Sequence, residues 1–310
     1  MVVYTDSIHF AEQILPQTAG QWSSVSSKPG VGEPDLFGKL FDGRFVFTSA
    51  LESEQLWDQL YVVEAASQSQ YDLLIELNRA GESPPGGILC VAGEGNKFHG
   101  FKNRAWTAAP GNLHVSVNFA PSQPIDHFGA GFMALAALSV VDAIDTVPGL
   151  GNQAGIKWVN DILIKDAKVC GVLAYTQTMA DLVTSAVLGI GLNVETAPNV
   201  ASTPSVPKVG SLCDIVTDRR TCNQAVLLGA LMISLDRNYR SLLEGNYEAL
   251  LNRYRERSVV IGRDVDVLSD DTDIEPEVLA SGRVKGLGQD LELILEGSER
   301  PLTRGRLVLK

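Results

Sequence analysis

The chain's 310 residues suffice for one large domain and one small one, and its 45% hydrophobic, 20% charged composition suits a globular enzyme or binding protein. A formal net charge of −12 argues against nucleic acid as a general partner, because phosphate-backbone binding needs a basic face. The opening MVVYTDSIHF lacks the basic segment and long apolar core of a signal peptide.

Two further exclusions are expected. The apolar stretch Gly129–Ile144, bounded by Asp126, Asp142 and Asp145, reads as too short to span a membrane. Cys90, Cys170, Cys213 and Cys222 show no zinc-type spacing, so reduced cytoplasmic thiols are expected and no metal ligands are assigned.

In chain order, residues 1–55 offer only short strand candidates, Val2–Tyr4 and Phe45–Phe47, around a Ser/Pro/Gly-rich loop, Ser23–Pro34. No role follows from them. Leu60–Val63 reads as a strand and Ala65–Ser69 as a turn; Gln70–Asn78 has helical spacing behind serines suited to capping. Gly81–Gly87 is a loop and Ile88–Ala92 a buried strand. Gly93–Arg104 follows, a glycine-punctuated basic loop in an acidic chain. Its glycines and its Lys97, Lys102 and Arg104 either cradle phosphates or form a solvated surface; the loop matches neither common nucleotide fingerprint. Leu113–Phe119 alternates as a strand, and Phe128–Ile144 is an apolar helix ending near Pro148.

The stretch from Gly155 to Asn193 organises the rest. Ile156–Ile164 and Val169–Thr176 read as a hairpin around the tip Lys165–Lys168, and Val183–Val194 as a third strand broken by Gly189 and Gly191. Lys157, Asn160, Asp161, Lys168 and Asn193 sit among apolar residues, where unpaired charge is costly. Either they line one cavity for an anionic ligand, or the lysines flank a surface hairpin. Gly171, Gly189 and Gly191 suit close approach of a ligand to backbone. His114 is equally a core residue or a ligand contact. After the loop Pro198–Pro207, Ala225–Leu243 and Tyr247–Arg257 are amphipathic helices. Five short strands then close the chain: Val259–Ile261, Val265–Leu268, Val278–Val284, Leu291–Leu295 and Arg306–Leu309. They suggest a small β-barrel.

Several of these stretches resemble the motifs of biotin–protein ligases. Lys157-Trp158-Val159-Asn160-Asp161 is similar to the family's KWPND, and Lys168-Val169-Cys170-Gly171-Val172-Leu173 to its K(L/V)xGIL. Gly189-Ile190-Gly191-Leu192-Asn193 resembles GxGxN, and Gly111–Ser116 resembles GxNLYxS. Val62-Val63-Glu64 with Ser67-Gln68-Ser69-Gln70-Tyr71 is similar to VVxSTNxY with two residues inserted.

The resemblance spans Leu56 to Lys310 and implies a mixed α/β fold. That fold has a helix-packed central sheet at 56–257, an SH3-like barrel at 258–310 and an N-terminal extension at 1–55. It further implies that biotin and Mg-ATP form biotinyl-adenylate, whose acyl group passes to a lysine of a biotin carboxyl carrier domain. By the same resemblance Lys168, Lys157, Lys102 and Arg104 are catalytic. Ser67, Gln68, Ser69, Asn112, His114, Gly171, Leu173, Gly189 and Gly191 hold biotin. Gly100, Lys102, Arg104, Trp106, Asn160, Asp161 and Asn193 hold ATP, with Mg2+ arriving on the nucleotide.

There are departures: His99 and Phe101 replace arginines of the family's loop, Gln68 and Ser69 replace Thr and Asn, His114 replaces Tyr, and Val159 replaces Pro. Two alternatives accordingly stand beside the biotin reading, a lipoate or octanoate ligase and a non-catalytic acyl- or nucleotide-binding protein. The DNA-binding domain of repressor-type relatives is not expected, nor is a membrane partner. Monomer and homodimer both stay open.

Overall fold

A computed structural model describes residues 1–25, 36–53, 55–82, 84–270 and 276–310; most of the Ser23–Pro34 stretch lies outside them. The elements in order are β1 (Val2–Thr5), α1 (Ile8–Ile14), β2 (Ser23–Ser24), α2 (Leu36–Phe41), β3 (Phe47–Ala50), β4 (Gln59–Ala66), α3 (Gln70–Arg79), β5 (Ile88–Gly95) and β6 (Leu113–Phe119). Then come α4 (Phe128–Asp145), β7 (Gly155–Lys157), β8 (Asp161–Ile164), β9 (Ala167–Met179), β10 (Leu182–Leu192), α5 (Gln224–Leu243) and α6 (Tyr247–Glu256). The chain ends with β11 (Asp264–Leu268), β12 (Val278–Leu287), β13 (Leu293–Leu295) and β14 (Arg306–Leu309).

Ten strands form one mixed sheet in the order β2-β3-β1-β4-β5-β6-β10-β9-β8-β7. The pairs β1–β4 and β4–β5 are parallel; the other pairs are antiparallel. Three of the ten strands, β1, β2 and β3, come from before residue 51 and form one end of the main sheet. β1 lies between β3 and β4, and Val3 is fully buried.

Alternation along each strand decides what each face holds. On β10, Leu188, Ile190 and Leu192 point into the large core shared with α4, α5 and α6, as do Val115 and Val117 on β6. The opposite face of β4 and β5 packs Tyr61, Val63 and Cys90 against α2 and α3. On that same face β10 presents Gly189, which the Tyr71 ring of α3 approaches, and Gly191, on which the Trp106 ring lies.

Helix α4 has 18 residues and is long and apolar enough by composition to cross a membrane, which corrects the length expected for it. Its residues are instead core: Phe132, Leu135, Leu138, Val140 and Ile144 are at most 1% exposed. Its outer edge carries Asp142, which accepts from Arg253 at 2.6 Å and from Arg237 at 2.7 Å.

Two predicted strands fold differently. Ile156–Ile164 is not one strand but the pair β7 and β8, reversing through 158–160, where the Trp158–Val159 peptide is cis. Burial of Trp158, whose indole donates to the Leu291 carbonyl at 2.7 Å, turns the chain there. In the tail, residues 264–309 form a four-stranded antiparallel sheet ordered β13-β12-β11-β14, with no closed barrel among the described residues. Val259–Ile261 does not join it. Ser258 bridges Ile156, and the Val259 N–H donates to the Ile156 carbonyl at 2.9 Å, so this segment seams onto β7. Arg255, donating to the Leu287 carbonyl at 2.9 Å, fastens the second sheet further.

Candidate active site

Beside these rings the glycine face opens into a cavity of about 350 Å³. Cross-strand register lays its floor in two rows: Leu173, Gly189 and Ser116 in one, Gly171, Gly191 and His114 in the other. A Cβ at Gly191 would stand 2.4 Å from the Trp106 ring, and one at Gly189 would stand 3.0 Å from Tyr71. Both glycines are therefore needed for aromatic rings to lie on the strand.

One end is aromatic. Tyr71, from the first turn of α3, and Phe98 wall it. Ser69 borders it too, although its hydroxyl also accepts from the Asp72 N–H at 3.3 Å as the N-cap of α3.

A loop from Asn96 to Ala108 roofs the cavity. It folds on itself through Trp106 N–H to Phe98 carbonyl, 3.0 Å, and Gly100 N–H to Arg104 carbonyl, 2.7 Å. Gly100, Arg104 and Trp106 face the cavity, with the Arg104 Nε donating to the Phe101 carbonyl at 2.9 Å. His99 bridges loop and helix: Nε2 lies 2.7 Å from an Asp72 oxygen and Nδ1 lies 3.0 Å from the Gly100 carbonyl. Burial opposes its charge, but that carbonyl and the carboxylate outweigh it, and the pKa of His99 is raised.

The other end is cationic. Lys168 Nζ lies 2.5 Å from Asp161 Oδ1 and 5.8 Å from the Trp106 ring centre. Asn160 and Asn193 sit beside it. The Asn160 amide donates to the Val172 carbonyl at 2.9 Å and the Asn193 amide to Gly210 at 3.1 Å. Among the described residues the Asn193 Oδ1 is buried without a hydrogen-bond partner, an acceptor open to a ligand's donor.

Past Lys168 the cavity adjoins a second hollow of about 190 Å³. Lys157, Lys168, Lys208, Arg263 and Lys310 meet there against Asp161 and Asp166. The Lys157 ammonium donates to the Ser205 carbonyl. Burial, only partly offset by Asp161 and reinforced by Lys168 and Arg104, pushes its pKa down to about 8.

Four expected site residues stand elsewhere. Ser67 and Gln68 are exposed and do not line the cavity; Ser67 borders a separate hollow with Arg44 and Asn96. The turn ahead of α3 points its first two side chains outward, and only Ser69 comes in. Asn112 is fully buried, but its amide clamps backbone: Oδ1 accepts from Val194 N–H at 2.9 Å and Thr196 N–H at 3.2 Å, while Nδ2 donates to Thr196. Lys102 is exposed, with its ammonium 5.8 Å from the Phe101 ring and clear of the cavity. Conversely, sequence reasoning passed over Tyr71, Phe98, His99 and Ser116 as site residues, although all but Phe98 stand in quoted motifs or at replaced positions. Lys208, Arg263 and Lys310 carry no local signal at all.

The Biotin/lipoate A/B protein ligase family matches residues 65–193, the span holding α3, the roofing loop and both glycine rows. Among similar proteins, the bifunctional ligase/repressor BirA of Bacillus subtilis is 26% identical over 266 residues, covering 84% of this chain and 76% of BirA. The biotin–[acetyl-CoA-carboxylase] ligase of Mycobacterium tuberculosis is 29% identical over 215 residues, 68% of this chain and 75% of that ligase. The Aquifex aeolicus biotin protein ligase, solved with biotin and ATP, superposes with a TM-score of 0.60 at 18% identity. That match covers 82% of this chain and 99% of the Aquifex chain and establishes the shared fold.

Proposed function

We propose that this protein is an ATP-dependent biotin–protein ligase. A biotin carboxylate oxygen attacks the α-phosphorus of ATP, and the bond to pyrophosphate breaks. The amine of a carrier-domain lysine then attacks the acyl carbon, expelling AMP and losing a proton. The observation that carries this reading is the position of Lys168, where a glycine-floored apolar cavity meets a cluster of cations and amides.

Two anions must meet in the first step, and their repulsion is the barrier a protein can lower by charge alone. Lys168 stands between the two halves of the cavity and lies against the developing charge. Arg104 and Lys157 flank the phosphates, and the adjoining cationic hollow receives pyrophosphate. Asn193 offers its open Oδ1 to the nucleotide. The apolar floor of Leu173 and the glycines takes the acyl chain, with Ser69 and Ser116 the nearby hydroxyls for its head.

Magnesium fits as part of the nucleotide chelate. Among the described residues no cluster of three potential ligands exists, and magnesium bound with phosphates needs only one or two carboxylates. Asp161 is the carboxylate at hand. When bound, magnesium neutralises phosphate charge. The acyl acceptor is a carrier domain of a carboxylase, and the four buried free thiols support a reducing, cytoplasmic setting.

Incubation with labelled biotin, ATP and a carrier domain should place label on the carrier lysine; no ATP-dependent transfer sinks the proposal. One observation favours a second reading. With Ser67 and Gln68 outside the cavity, its head end is walled by Tyr71 and Phe98, which suits a lipoyl or octanoyl group. Thermal shifts with biotin, lipoate and octanoate separate the two, since a bound ligand stabilises according to its affinity.

A further inference from the structure

Trp106 lines the cavity, and its indole N–H bonds to one side chain, His114. Its ring lies on Gly191 and near Gly171, with the Lys168 ammonium, also beside Gly171, 5.8 Å from its centre. The indole N–H reaches His114 Nδ1 at 3.3 Å. His114 projects from β6, is 2% exposed, and sets its other nitrogen, Nε2, 3.2 Å from the Ala109 carbonyl.

A carbonyl only accepts and an indole nitrogen only donates. The two contacts together therefore demand an imidazole protonated on Nε2 and bare on Nδ1. Burial agrees, holding the pKa of His114 down to about 4 and the ring neutral. Both nitrogens are then spent on protein atoms, so none is left to bind an acyl head group. The residue that breaks the family's tyrosine pattern is engaged with Trp106 and with the end of the roofing loop.

We infer that His114 is a positioning residue for nucleotide binding: it holds the Trp106 indole flat on Gly191, so that the ring offers a fixed face beside Lys168 to the base of ATP. This rests on the adenylation reading above. A ring free to turn would swing off the glycine and lose that face, whereas the acyl half of the cavity, bounded by Tyr71, Phe98 and Leu173, would keep its walls.

The test compares His114→Phe, which keeps a planar ring without an acceptor, with His114→Gln, whose amide both accepts and donates. Calorimetry gives the affinities for ATP and biotin, and biotin-dependent ATP–pyrophosphate exchange gives both KM values. His114→Phe should weaken ATP on the order of tenfold, the scale of one buried hydrogen bond, and leave biotin within about twofold. His114→Gln should recover most of the loss. In a Trp106→Phe background, which has no indole hydrogen, His114→Phe should cost nothing further. Weakened biotin binding, no recovery with Gln, or additive effects in the double variant would each overturn the inference. If the unmodified chain exchanges no pyrophosphate, the adenylation reading fails instead. Tryptophan emission, compared with Trp106→Phe, then decides the anchoring alone: it must shift in His114→Phe, and an unchanged spectrum refutes the indole bond.

Discussion

Lys157 makes the cationic end of the cavity testable by proton counting. Its side chain is 4% exposed, and its pKa stands at about 8 rather than 10.5 because burial and two neighbouring cations penalise the charge. A triphosphate seated against Lys157 and Lys168 supplies the missing countercharge and should return the ammonium toward its ordinary value. That gap corresponds to about 3 kcal/mol of interaction. Binding should therefore take up about 0.1 proton at pH 7, about 0.5 at pH 8 and about 0.9 at pH 9, and affinity for ATP should fall about tenfold from pH 7 to 9. The triphosphate itself is fully ionised at the upper end of this range, so it contributes little to the change.

Titration calorimetry of ATP binding in two buffers of different ionisation enthalpy reads the uptake directly. Lys157→Met, which keeps an unbranched chain without the charge, should abolish the uptake at pH 9. Uptake near zero in the unmodified protein, together with a flat affinity, would refute the placement of phosphates against Lys157. Stability gives an independent sign. Between about pH 8 and pH 10.5 the unfolded chain holds the Lys157 proton and the folded one does not, so this group makes the fold gain stability as pH rises through that window. Lys157→Met should lose that slope.

Lys168→Ala should abolish biotin-dependent pyrophosphate exchange while circular dichroism and the unfolding midpoint stay near those of the parent, because the ammonium sits at a cavity rim with Asp161 rather than in the core; retained exchange would refute its role. Gly191→Ala puts a methyl group where the indole lies, so Trp106 must leave its seat; a changed Trp106 emission and at least tenfold weaker ATP binding are expected, on the order of 1.4 kcal/mol or more. Asn112→Ala strands the backbone groups of Val194 and Thr196 and should cost about 2–3 kcal/mol in a denaturant titration, with the biotin KM unchanged. A raised biotin KM at full stability would return Asn112 to the binding site.

What could be read from the chain was what local spacing controls. Ser69 ahead of Gln70–Asn78 does cap α3, and the paired glycines of β10 do mark the face where rings approach backbone. What escaped depended on partners distant in sequence. Val2–Thr5 became an interior strand because Gln59–Val62 runs parallel to it, a pairing that no local pattern announces. The strand expected over Ile156–Ile164 broke in two where Trp158 found burial beside Leu291, more than a hundred residues away. The tail's turn signals were right about four short strands, but Val260 is fully buried and its neighbours bond to Ile156, so the first of the five forms no strand and lies against β7 instead. Ser67 and Gln68 were misplaced for a subtler reason. The motif fixes which residues form the turn, while the start of α3 fixes which of them faces inward.

A net charge of −12 opposes the approach of the polyanion proposed for this site, yet the two facts act on different lengths. At physiological salt, exposed charges are felt over about 8 Å, so carboxylates spread over the surface contribute little inside a cleft. What the proposed triphosphate would meet is local: five cations drawn from β7, β9, the loop around Lys208, and the ends of the neighbouring strands β11 and β14, against the carboxylates of Asp161 and Asp166. The depressed pKa of Lys157, set first by burial and then by Lys168 and Arg104, is an energetic debt of the ligand-free fold. An anion relieves it on binding. A long basic surface would bind nucleic acid as readily as a nucleotide, whereas cations gathered round one small hollow, with Lys157 buried and Lys208, Arg263 and Lys310 exposed at its rim, select an anion small enough to enter.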